Sequence, residues 1–300
     1  MSLACIHTHT NFCDGIDDIE TLCRTAHEKG LSSLGFSAHA PVTAKTGLRT
    51  NWHLPGDRLW EYLDSVRAAK KRWEGKLPIY LGFEVDFIEN AMGPADRDYR
   101  EMGLDYIIAS VHYVFPPKGK PFTVDDSAEN VRKGITEGYG GDPMGMVESY
   151  MASSEAMIHA GGFDVLGHPD LVKVNNERAG YPGAGRLFSE DSDSYREKIK
   201  SLVKLMSARP LDGGDIPAAE VNTGGLNRGR IADCYPSLAF LKLLREHSIP
   251  MVINADAHRA ADLDGHYEEA RKTLLAAGYD ETVLFAGRKD GKAVWNSIKI

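Results

Sequence analysis

The sequence predicts an α/β chain folded as a closed or nearly closed parallel barrel of seven β/α units. Short runs rich in β-branched and aromatic residues alternate seven times with longer stretches of helical apolar periodicity. Strands joined through helical crossovers imply a parallel sheet. No G-x-G-x-x-G or P-loop motif opens any helical stretch, so a doubly wound nucleotide-binding sheet lacks its main support. With 300 residues and 42% hydrophobic content, the chain can bury a core of this size as one domain over 1–300.

In chain order, residues 5–8 read as the first strand. Residues 17–29 read as its helix, with Ile19, Leu22, Cys23 and Ala26 inward and Gly30 as the stop. The second strand, 34–37, runs into Ala38-His39-Ala40-Pro41, where the proline discourages further regular structure. Residues 42–55 are too long for a simple connection and read as a candidate lid. Helix 57–73 has Leu59, Trp60, Leu63, Val66 and Ala69 as its apolar stripe, and Lys70, Lys71 and Arg72 suit the negative end of its dipole. The third strand, 79–85, carries Glu84 inside an apolar run, where a carboxylate seldom stands without a partner. A helical piece at 95–101 precedes strand four, 106–111, which ends at His112; 115–126 reads as a loop. Helix 142–160 tolerates Pro143 in its first turn, and strand five, 163–166, leads into Gly167-His168-Pro169-Asp170. A polar, Gly-rich loop at 175–192 and a helix at 194–208 follow. Strand six, 218–222, ends in Thr223-Gly224-Gly225, and after a helix at 237–246, strand seven, 251–254, is closed by Ala255-Asp256-Ala257-His258. A last helix covers 265–277, and the tail from 282 fits a strand with a short terminal segment.

The formal net charge of -8 opposes bulk binding to nucleic acid or an anionic membrane. Cys5, Cys13, Cys23 and Cys234 form no C-x-x-C pair and read as free thiols of a reducing compartment. No charged and then apolar leader pattern occurs, and no apolar run reaches membrane-spanning length, so a cytoplasmic protein is expected.

The chemistry gathers at the strand ends. In an extended chain His7 and His9 present two imidazoles on one face. His39, Glu84, His112, His168, Asp256 and His258 occupy the ends of later strands, and in a parallel barrel those ends share the face where active sites are built. Each residue alone has an ordinary reading as a hydrogen-bonded rim side chain; their convergence favours a metal cluster. By contrast, His27, His53, His159, His247 and His266 fall on helices or loops and read as structural or surface residues, with His53 set apart by its place in the candidate lid. Six imidazoles and two carboxylates exceed the needs of one ion, so two or three divalent ions are expected, with Glu84 bridging two. Nitrogen and oxygen ligands without cysteine suit Zn, Mn or Fe better than Mg or Ca. Asp14 reads equally as a further ligand, a general acid or a turn residue before Gly15.

At these residues the chain resembles the PHP superfamily, through His7-x-His9, Ser37-Ala38-His39, Glu84, His112, His168 and Asp256-x-His258. The resemblance implies a distorted (β/α)7 TIM-like barrel with a trinuclear metal site. Within the superfamily the chain is most similar to the monofunctional histidinol-phosphate phosphatases. The matching stretches are Tyr80-Leu81-Gly82-Phe83-Glu84-Val85-Asp86, Ser110-Val111-His112, Phe163-Asp164-Val165-Leu166-Gly167-His168, Glu220-Val221-Asn222-Thr223-Gly224-Gly225-Leu226 and Tyr235-Pro236-Ser237. Two departures stand out. Asp14 is offered where many relatives have a histidine, and Asn227 precedes Arg228 where relatives carry a basic residue directly after Gly-Leu.

The resemblance implies hydrolysis of L-histidinol phosphate to L-histidinol and phosphate, a step of histidine biosynthesis, by water activated between ions. Asp14 and His112 are the expected catalytic side chains, with Arg228 first, Lys173 second and Asn222 besides as substrate-binding residues; Arg259 is placed to support a ligand. Asp86, Glu89, Asp125 and Asp126 are the acidic rim that would favour a cationic substrate. The competing readings are another small phosphorylated metabolite or nucleotide as substrate, a polymerase-associated module, an amidohydrolase, and a metal-binding module without catalysis.

Overall fold

The apolar runs become short strands buried on both faces, as a parallel sheet wrapped by helices requires. A computed structural model describes residues 3–176, 185–208 and 216–300. Part of the expected 175–192 loop lies outside the described residues. The strands in chain order are β1 (Ala4–Cys5), β2 (Ser33–His39), β3 (Ile79–Asp86), β4 (Tyr106–Ser110), β5 (Tyr113–Val114), β6 (Phe122–Thr123), β7 (Val165–Leu166), β8 (Ala218–Asn222), β9 (Met251–Asn254), β10 (Glu281–Lys289) and β11 (Lys292–Lys299).

Seven of them form one sheet in the order β1-β2-β3-β4-β7-β8-β9, with every neighbouring pair parallel. Its two edges approach each other. Thr8 bridges Ala257 in parallel, His9 N donates to Ala257 O and Ala257 N donates to His7 O, so the barrel is nearly closed by a few bonds beyond the ends of β1 and β9. This is the expected distorted (β/α)7 barrel. Among the crossover helices, Ile19–Glu28, Pro143–Ala160, Asp193–Ser207 and Leu238–Glu246 are N-capped by Asp18, Asp142, Ser192 and Ser237, whose side chains satisfy free first-turn amides. No described helix is long and apolar enough to cross a membrane.

Three segments differ from the sequence-based expectation. The loop expected at 115–126 contains β6, which pairs antiparallel with β5 just past His112. A helix over Ala128–Tyr139 follows, with Val131 and Ile135 buried; Gly134 and Gly138 weaken its helical signal. Those glycines are there for packing. A β-carbon at Gly134 would stand 2.6 Å from the Phe122 ring, and one at Gly138 would stand 2.5 Å from Pro116.

The third difference is the tail, where β10 and β11 make an antiparallel hairpin that closes the end of the barrel remote from the histidines. Phe285 is buried against Tyr80, Tyr106 and Trp295, at ring-centroid distances of 4.8, 5.3 and 5.3 Å. Val283 joins it on a cluster formed by Ile6, Ile108, Val165, Ala218 and Val252. Phe285→Ala is expected to cost about 3–5 kcal/mol of stability, seen as a lower denaturant midpoint. Metal content should stay unchanged, because the substitution lies at the opposite end from the candidate ligands.

Candidate metal centre

Strand register puts the candidate ligands face to face. His39 on β2 pairs with Glu84 on β3, so their side chains lie together at the ends of adjacent strands. Asp86, two residues beyond Glu84, shares its face. His7 and His9 flank the bridging Thr8, with rings 5.2 Å apart. Asp256 follows β9 in a left-handed conformation (φ 48°), which aspartate adopts more readily than most residues. Gly224 makes room for it, since a β-carbon there would lie 2.6 Å from Asp256 Oδ2.

Glu84 is at the centre, with 1% of its surface exposed. Its Oε2 lies 3.2 Å from His7 Nε2, 3.5 Å from His9 Nε2 and 3.0 Å from His39 Nδ1. Its Oε1 lies 2.9 Å from His168 Nε2 and 3.6 Å from His112 Nε2. The carboxylate therefore divides five imidazoles into two groups. Asp256 Oδ1 adds a third focus, 3.2 Å from His9 Nε2, 3.7 Å from His7 Nε2 and 3.5 Å from His258 Nδ1. Asp14, brought back by the turn at Gly15, reaches His258 Nε2 at 3.1 Å, His9 Nδ1 at 3.6 Å and His39 Nε2 at 3.7 Å. All nine residues that the sequence nominated as metal ligands or as the neighbouring acid converge here.

A second layer of polar groups orients the first. Asp86, expected on an exposed rim, is buried: its Oδ1 accepts from His112 Nδ1 (2.8 Å) and its Oδ2 from His53 Nε2 (2.8 Å). His53 comes from the candidate lid and is also held at Nδ1 by Thr50 Oγ1, 2.8 Å away. Beside it the half-buried Trp52 stands edge-on to His39 and His112, at 4.6 and 5.4 Å. His27, His159, His247 and His266 are exposed on the surface, as expected. Glu220, which the sequence reading did not nominate, receives His7 Nδ1 at 2.9 Å. It could have been found by the argument applied to Glu84, a carboxylate within an otherwise apolar strand.

The residues expected to contact substrate are each bonded within the protein. Arg228 gives Nη2 to Asp256 Oδ2 (3.0 Å) and Nη1 to the Asp256 carbonyl (3.2 Å), so its guanidinium buttresses a candidate ligand. Lys173 is buried in an ion pair with Asp170 (3.1 Å) and a bond to the Cys234 carbonyl (3.1 Å). Asn222 is wholly buried; its Nδ2 donates to Glu220 Oε1 and its Oδ1 accepts from Gly224 N. Arg259 is exposed. Of the remaining acidic residues, Glu89 and Asp126 are exposed and Asp125 is half-buried.

The residues fit a group of divalent cations. His7 Nε2, His9 Nε2 and His39 Nδ1 are buried facing only the carboxylate oxygens of Glu84 and Asp256 and make no well-aligned hydrogen bond, although such groups are normally satisfied. Four sets of donor atoms lie close enough to hold ions: His9, Asp14, His39 and His258; His7, His9 and Asp256; His7, Glu84 and His168; and His39, Asp86 and His112. Burial disfavours charge on His9, and His258 and His39 reinforce it, bringing its pKa down to about 3 and leaving a neutral imidazole suited to ligation. Burial would raise the Asp14 pKa, but His39, His258 and His9 outweigh it and hold the carboxyl well below the usual range.

Comparisons with known proteins agree with this fold. A Deinococcus radiodurans protein named "Probable histidinol-phosphatase" is 27% identical over 285 residues, covering 94% of this chain and 96% of its own. The Bacillus subtilis histidinol-phosphatase is 26% identical over 274 residues, 87% of this chain and 96% of its own. A crystal structure of histidinol phosphate phosphatase from Lactococcus lactis, complexed with Zn, L-histidinol and phosphate, shares the fold with a TM-score of 0.63 at 17% identity, over 96% of this chain and 99% of its own. The PHP domain family is matched over residues 6–211, more than half of the chain and including the ligand-bearing strand ends from His7 to His168. The chain belongs to the PHP domain family.

Proposed function

We propose that this chain is a metal-dependent phosphomonoesterase acting on L-histidinol phosphate. The observation that carries the reading is the divided Glu84 carboxylate, with His7, His9 and His39 on one oxygen and His112 and His168 on the other. Glu84, His7, His9 and Asp256 would hold one ion, and Glu84, His112 and His168 a second. Asp14, His39 and His258 would hold a third. Zn, Mn and Fe all suit this donor set, and the Zn in the Lactococcus lactis structure favours the first. Divalent ions would supply activation of water and stabilisation of charge on the phosphoryl oxygens.

The protein's own groups prepare that chemistry. Asp86 holds His112 by Nδ1 and directs Nε2 toward Glu84. Arg228 holds Asp256 in place and adds positive charge beside the cluster. With its carboxyl ionised, Asp14 would serve as a ligand rather than as a proton donor. Histidinol phosphate carries an amine and an imidazole, and this structure offers an aromatic partner near His112: Trp52 stands edge-on to it at 5.4 Å.

Phosphate release by metal-loaded protein from L-histidinol phosphate, set against a panel of sugar, nucleotide and amino-acid phosphomonoesters, tests the proposal. The expected kcat/KM for L-histidinol phosphate exceeds the others by about a hundredfold, equivalent to about 2.7 kcal/mol of discrimination. Faster hydrolysis of another monoester would overturn the substrate and keep the phosphatase; no hydrolysis of any would favour the non-catalytic module.

A further inference from the structure

Glu220 lies on β8, fully buried, and four hydrogen-bond donors from four parts of the barrel converge on it. Its Oε1 accepts from the His168 backbone amide at 2.7 Å and from Asn222 Nδ2 at 2.8 Å. Its Oε2 accepts from His7 Nδ1 at 2.9 Å and from Asn254 Nδ2 at 2.9 Å. Asn254 is fixed in that orientation, because its Oδ1 accepts from the Ile6 amide at 3.0 Å. Only a group that accepts at both oxygens satisfies all four donors, and among side chains that is an ionised carboxylate.

We propose that Glu220 is a positioning residue that holds His7 as its Nδ1-protonated tautomer and so leaves Nε2, the unpartnered atom facing Glu84 and Asp256, free to take an ion. The same carboxylate ties β1 to β9 through Asn254, where few backbone bonds join the barrel edges, so ligand orientation and closure depend on one residue. The inference rests on the metal-centre reading above.

Glu220→Gln tests it with almost no change in volume. A glutamine must turn its amide nitrogen toward one pair of donors. The His168 amide cannot reverse its polarity, which directs the nitrogen to the side of His7 and Asn254. There the glutamine N–H is satisfied only if His7 Nδ1 loses its proton. His7 then carries the proton on Nε2, the atom that an ion requires.

Zn titration against a chromophoric chelator, with metal analysis after dialysis, is expected to show one ion bound about ten- to a hundredfold more weakly in Glu220→Gln. Circular dichroism of the metal-free variant would establish that it is folded. In the Zn-loaded wild-type protein, nitrogen-15 NMR of the imidazoles should show His7 protonated at Nδ1 and ligated through Nε2, a readout that stands even if the variant does not fold. Ligation of His7 through Nδ1, or a folded Glu220→Gln with wild-type Zn affinity and stoichiometry, would overturn the inference. A wild-type protein that binds no Zn, Mn or Fe would instead overturn the metal centre itself.

Discussion

Glu84→Gln lowers kcat/KM for phosphate release by about a thousandfold or more, equivalent to about 4 kcal/mol of transition-state stabilisation, and leaves the protein with fewer bound ions. The size follows from position. Five imidazoles approach this one buried carboxylate within 3.6 Å. An amide of the same shape supplies one neutral oxygen and turns an N–H donor toward nitrogens that need to face cations. Loss of the negative charge would also remove the buried anion that offsets the charge of the ions these residues would hold. Elemental analysis of the dialysed variant, beside an assay of phosphate release, decides the matter. A variant that keeps the wild-type number of ions and activity within tenfold would remove Glu84 from its bridging role. Phe285→Ala, at the other end of the barrel, provides the control for lost activity that follows only from lost stability.

What the sequence made legible was the set of residues at strand ends; what it concealed was the direction in which several of them point. His7, His9, His39, Glu84, His112, His168, Asp256 and His258 could be located because each closes an apolar run, and a parallel barrel brings such ends to one face. Asp86, just past the apolar run 79–85, reads from sequence as part of an acidic rim. The two-residue period of a strand places it on the same inward face as Glu84, and it holds His112 there. Arg228, Lys173 and Asn222 were nominated from motif neighbourhood, which gives adjacency in the chain and not orientation. In the fold, buried carboxylates claim all three: Asp256, Asp170 and Glu220. The helix Ala128–Tyr139 was concealed for a related reason, since its glycines were selected by the neighbouring ring of Phe122 and by Pro116 and not by helical propensity.

Chelation of the ions abolishes phosphate release and lowers Tm by about 6 °C, with both restored by a divalent cation. A ligand present at about a thousand times its Kd stabilises the native state by about 4 kcal/mol. In a chain of 300 residues each kilocalorie moves Tm by roughly 1.5 °C. The pH dependence gives the test its sign. Without ions, burial disfavours charge on His112, but Asp86 and Glu84 outweigh it and push its pKa up to about 10. His7 is likewise raised, against its burial, by Glu220, Glu84 and Asp256. A raised histidine pKa contributes stability that is fully present below the unfolded value of 6.5 and is lost as pH rises through the folded value. The chelated protein should therefore weaken between about pH 6.5 and 10. Ion binding follows the opposite slope over the same window, because a ligating imidazole must first give up its proton. The difference in Tm between loaded and chelated protein thus widens from pH 7 to pH 9. A constant or narrowing difference would mean that the raised imidazoles do not receive the ions, and would separate the histidine cluster from the metal centre even if chelation abolished activity.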